Sequence, residues 1–168
     1  MEKVFTEENG KYKIDCSNAL WATDELNDRY HVAKVFLSDV DWIIETQEKI
    51  VLVEYKNANV AGAQNPDAFK PQEDKTLDKI VKKFYDSLHY LTLQGKEKPK
   101  EYVYILEYPN GDSSSRKMLR NRMKIKLPFV LQENIGDGKK LIEKVEVLSI
   151  DEWNADEGYG KFPILPCE

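Results

Sequence analysis

The chain has 168 residues, 41% of them hydrophobic and 33% charged, and a formal net charge of −5. That length and hydrophobic content suit one folded domain with a real core and exclude a disordered chain. The acidic balance excludes a broadly basic nucleic-acid coat, but not a local basic face or acids that hold metal ions.

No basic stretch followed by an apolar one opens the chain, and no apolar run reaches membrane-spanning length. The expectation is a soluble, cytoplasmic protein forming a single domain over 1–168. Cys16 and Cys167 stand far apart and make no CxxC pair, so neither a disulfide framework nor a cysteine-ligated zinc site is expected. His31 and His89 are read as surface or satisfied core residues rather than ligands.

In chain order, residues 3–15 predict a short hairpin turning at "ENGK", since Asn-Gly is a favoured turn pair. A helix is expected over 17–35, capped by Ser17, with Ala19, Leu20, Thr23, Leu26, Tyr30 and Ala33 near helical spacing. Then "VFLSDVDWII" and "KIVLVEYKN" read as two strands joined by the polar "TQEK". The unbroken apolar run Ile50-Val51-Leu52-Val53 suits a central strand covered on both faces. Residues 57–75, with Gly62, Pro66 and Pro71, read as a long polar loop of the kind that carries function.

The clearest helix follows. Leu77, Ile80, Val81, Phe84, Leu88 and Leu91 form one stripe, with Asp74 or Thr76 to start it and Gly95 to end it. Lys75, Lys79, Lys82 and Lys83 fall to its solvated side. "EYVYILEY" (101–108) predicts a third buried strand and "SSSRKMLRNRM" a short helix with a serine cap. "KIKLPFV" predicts an edge strand, where its proline is tolerated. A last strand is expected within "KKLIEKVEVLSI", and an irregular tail after it. The order of elements predicts an α/β fold with a central mixed β-sheet flanked by helices.

The chemistry concentrates in "SDVDWII" and "VLVEYKN". A hairpin turning between Gln47 and Glu48 sets Asp41 opposite Glu54 and Asp39 opposite Lys56. Opposed residues, and residues two apart, share a face of the sheet, so four charges meet on one patch. On the plainest reading Asp39 and Lys56 are expected to form a simple cross-strand ion pair. Asp41 against Glu54 repels, the more so beside a low-dielectric core. A shared proton, Lys56 or a bound divalent cation would offset that repulsion, the cation best. A register shifted by one residue would separate the two acids.

An Asp, a gap and then Glu-x-Lys on the next strand resembles the PD-(D/E)XK nuclease superfamily, the restriction-endonuclease-like fold. The matching residues are Asp41 and Glu54-Tyr55-Lys56, with the apolar run before Glu54 and Asn57 after Lys56. Val40 stands where the motif's proline would be. The resemblance implies metal-dependent hydrolysis of phosphodiester bonds in nucleic acid, expected to be DNA cut internally. It implies that Asp41, Glu54 and the Tyr55 carbonyl hold Mg²⁺, with Mn²⁺ as substitute. Lys56 would orient or deprotonate the attacking water, or stabilise the pentavalent phosphorus. An acid from the first helix often joins such sites. Glu25 is the first candidate here, with Asp24 and Asp28 as rivals.

Substrate contact is expected from the strongest basic run, which carries Arg116, Lys117, Arg120, Arg122, Lys124 and Lys126 with no acid between 113 and 132. A homodimer or a targeting partner would help an acidic enzyme reach its substrate. The alternative is a non-catalytic module, binding nucleic acid or assembling with protein, that keeps the nuclease fold. A third reading is an unrelated α/β protein whose charges form a structural pair.

Overall fold

The computed structural model describes residues 3–59, 65 and 68–168. The fold is mixed α/β, with a five-stranded and a three-stranded sheet. The first strands, β1 (Val4–Thr6) and β2 (Tyr12–Asp15), form the expected hairpin. Gly10 sits at its turn with φ +68, a backbone conformation that glycine adopts without strain.

The five-stranded sheet holds β3 (Trp21–Thr23), β4 (Trp42–Glu45), β5 (Ile50–Asn57), β6 (Lys100–Glu107) and β7 (Lys144–Leu148), side by side in that order. β3, β4 and β5 are antiparallel neighbours, whereas β5, β6 and β7 run parallel. Parallel neighbours need long crossovers. One passes through α2 (Asp74–Leu93), the other through α3 (Ser113–Lys126) and α4 (Phe129–Ile135).

Ile50 to Val53 are buried on both faces, as an all-apolar central strand requires. Ile50 and Leu52 pack beneath α1 (Leu26–Ala33), α2 and α3. Val51 and Val53 face a second core with Ile14, Trp153, Phe162 and Ile164. Among the described residues no helix is long and apolar enough to cross a membrane.

Four expectations fail, each for a local reason. The helix expected over 17–35 begins only at Leu26, because Trp21–Thr23 pairs with β4 instead. Trp21 stacks on Tyr90 of α2, and the Lys96 ammonium lies over its ring. The strand expected over 35–44 begins only at Trp42. Before it, Asp86 and Ser87 of α2 accept the Ser38 and Val40 N–H groups, so this backbone bonds to helix side chains rather than to a ladder. "KIKLPFV" is not a strand. α3 continues through Lys126, Pro128 forms the break, and α4 follows.

The tail is ordered. It holds α5 (Ile150–Ala155), a 3₁₀ turn (Tyr159–Lys161) and β8 (Ile164–Pro166), which pairs with β2 and completes the small sheet. Two cap assignments change as well. α3 is capped by Asp112 in a reciprocal box with Ser115, not by a serine. α2 starts from Glu73 without a side-chain cap, and Gly95 just past its end takes φ +66. The readings of Gly62 and Pro66 lie outside the described residues.

Candidate active site

The register of the charged hairpin is the one its turn predicts. Trp42 pairs with Val53, and Glu45 with Ile50. One step further, Asp41 comes beside Glu54, and here the ladder stops. The Tyr55 N–H donates to Asp41 Oδ2 at 2.7 Å, so a carboxylate takes the place of a strand carbonyl. That bond ties Asp41 to the Glu-x-Lys segment.

Glu54 is only 4% exposed. Its Oε1 accepts from Lys83 Nζ of α2 at 2.6 Å, while its Oε2 is buried without a hydrogen-bond partner. Burial, and then the Asp41 charge, push the Glu54 carboxyl up to about 8 against the pull of Lys83. Burial also raises Asp41, opposed by the Tyr55 N–H and Lys83. Tyr104, opposite Glu54 on β6, has a second buried oxygen without a partner. Two orphaned polar atoms on neighbouring strands are costly in a low-dielectric interior.

Other expected members of the patch are arranged differently. Asp39 makes no ion pair with Lys56. Its Oδ1 accepts from Asn27 Nδ2 at 3.3 Å, and burial raises its pKa. Lys56 is exposed, and its ammonium lies 5.5 Å from the centre of the Phe69 ring. It lines a cleft of about 180 Å³ together with Asp24, Asp41, Tyr55 and the turn residues Glu7 and Glu8. Glu25 stands outside that lining, exposed and paired with Arg29 at 3.0 Å. The rival acid Asp24 is the one in the cleft, its carboxyl raised first by burial.

Lys83 is the residue that sequence reasoning placed wrongly, on the solvated side of α2. Its position held a signal. Ile80, Lys83, Phe84 and Ser87 follow helical spacing, so Lys83 flanks the buried stripe rather than opposing it.

The basic run is mostly consumed by internal partners. Arg116 is 8% exposed and makes a bidentate pair with Glu152 at 2.9 and 3.3 Å. Arg120 lies 3.7 Å from Glu146. Arg122 bonds to the Gln72 carbonyl and to Asp74, and Lys126 bonds to Asp78. Among the described residues Lys117 and Lys124 have no acidic partner, and Lys124 lies over the Phe129 ring.

The donors that a divalent cation would meet are hard oxygens on Asp41 and Glu54, one of them buried and unpartnered. Among the described residues no group of three or more His, Cys, Asp or Glu side chains stands in metal-holding geometry. Such a set suits Mg²⁺, which keeps several waters and needs only one or two carboxylates. In comparisons with known proteins, no family model matches the chain, and neither a curated protein nor a solved structure matches it.

Proposed function

We propose that the protein is a divalent-metal-dependent nuclease of restriction-endonuclease-like fold, a cytoplasmic DNA endonuclease that hydrolyses phosphodiester bonds. The observation that carries this reading is the Asp41–Glu54 juxtaposition where the β4–β5 ladder ends. Beside Asp41, the buried Glu54 keeps an unpartnered oxygen, at a cost to the stability of the fold. A site built to receive a cation explains both features.

In this reading Asp41, Glu54 and the Tyr55 carbonyl hold Mg²⁺ or Mn²⁺. The bound ion would supply charge neutralisation at the phosphate and a more acidic water. The chain's own groups do the rest. Asp41, bonded to the Tyr55 N–H, holds the end of β4 against the Glu-x-Lys segment. Lys56, exposed on the wall of the same cleft, reaches the scissile phosphate or its attacking water. Asp24, two residues before α1, lines the same cleft in place of Glu25. Internal pairing of α3 leaves little basic surface, so targeting falls to a second copy or to a partner protein.

The test is cleavage of supercoiled plasmid, single-stranded DNA and RNA with Mg²⁺ or Mn²⁺. Asp41→Ala and Lys56→Ala should each lower metal-dependent cutting by about a hundredfold or more. A folded wild-type protein that cuts none of these substrates sinks the reading. The second reading, a non-catalytic module of the same fold, would then take over. One observation favours it: Lys83 already neutralises part of the acid pair without any metal.

A further inference from the structure

Lys83 faces three carboxylates: Glu54 by direct bond, and Asp41 and Asp39 through space. Its ammonium lies 2.6 Å from Glu54 Oε1, reaching from α2 to the end of the β4–β5 ladder. Three carboxyl groups thus face one ammonium. Glu54 Oε2 remains buried and unpartnered even with Lys83 in place. The ammonium therefore satisfies one oxygen of Glu54 and leaves the other open.

The Lys83 side chain is 30% exposed, so its ammonium has a path to solvent. A flexible four-carbon stem can swing along that path without moving α2. Lys56, two residues beyond Glu54, pairs with no carboxylate among the described residues; its ammonium lies over the Phe69 ring.

We infer that Lys83 is a built-in counter-ion that competes with a divalent cation for Glu54, and so sets the metal affinity of the site. This rests on the proposal that Asp41 and Glu54 are metal ligands. Lys83 is a positioning residue. It holds Glu54 Oε1 before metal arrives, and it must release Oε1, or tolerate a dication beside it, when metal enters. A metal affinity weak enough to follow changes in divalent-ion concentration is the consequence.

The experiment is calorimetric titration with Mg²⁺ alone, without nucleic acid, all proteins in the same buffer at the same pH. Wild type is compared with Lys83→Met, Lys83→Arg and Glu54→Gln. Lys83→Met should bind Mg²⁺ about tenfold more tightly, because one repelling charge is gone. Lys83→Arg should bind like wild type, and Glu54→Gln should lose binding. Should Lys83→Met fail to fold, Lys83→Gln carries the same expectation. Binding in Lys83→Met equal to or weaker than wild type, with Glu54→Gln still abolishing it, overturns the counter-ion role and leaves the metal site standing. No Mg²⁺ binding by wild type, Lys83→Met or Lys83→Gln overturns both. Binding by Lys83→Met alone supports the competition in its strongest form.

Discussion

Two clusters of charge stand out in this chain, and the fold treats them in opposite ways. On α3 the basic run is closed off: Arg116 is matched by Glu152, Arg120 by Glu146, Arg122 by Asp74 and Lys126 by Asp78. At the junction of β4 and β5 the acids outnumber their partner, and a buried Glu54 oxygen is left over. The basic run is the longer signal in sequence, yet the short acidic one remains unbalanced. A run of like charges says little until its partners are known, and these come from distant segments: α5, β7 and the start of α2. Imbalance that survives folding points to a ligand more strongly than charge density does.

The largest effect that would test this contrast lies at Glu54. Its folded pKa of about 8 stands above the ordinary carboxylate value, so the folded protein holds an extra proton between the two. Stability is then fully present below the unfolded value and is lost as pH rises towards about 8. Glu54→Gln removes this ionisation. Its stability relative to wild type should grow between about pH 5 and 9, by an order of 4 kcal/mol at most. Urea denaturation of both proteins across that range checks it. A constant difference would mean that the carboxylate is already balanced, and the contrast with α3 would vanish.

Arg116 comes next. Replacing it with Met strands the Glu152 carboxylate, which also accepts the Ser149 N–H at the start of α5. Removing one partner of a buried pair costs about 3–5 kcal/mol. Glu152 is 32% exposed, so about 2 kcal/mol is expected here. The denaturation midpoint reads it. Unchanged stability together with lost nucleic-acid affinity would return Arg116 to the binding face that its sequence suggested.

Much of the site was legible because a strand pair obeys simple rules. A turn at Gln47–Glu48 fixes the register, and the period of two then fixes which side chains meet. The unbroken apolar runs of β5 and β6 and the stripe of α2 were equally plain. What sequence could not give were contacts closed by remote partners. Lys83 meets Glu54 across 29 positions, and Arg116 meets Glu152 across 36. Likewise Trp21–Thr23 has residues near helical spacing, but an open edge of β4 holds it extended. In the tail, β8 is defined less by its own pattern than by β2, which pairs Ile14 with Ile164.

The smallest expected effect separates the two basic residues that keep no acid from those that have one. If α3 touches phosphates at all, Lys117 and Lys124 do so, because their ammonium groups are exposed and among the described residues face no carboxylate. Each phosphate contact steepens the dependence of affinity on salt by about one unit of slope. The Lys117→Ala, Lys124→Ala double variant should therefore lower the slope of log affinity against log salt by about two, and weaken binding only a few-fold at about 0.15 M salt. Arg122→Gln, whose guanidinium is already spent on Asp74 and the Gln72 carbonyl, should leave the slope unchanged. Filter binding of a labelled duplex across a salt series measures all three proteins. If Arg122→Gln flattens the slope and the lysine pair does not, the internal ion pairs of α3 open on binding, and the closed cluster is the substrate face after all.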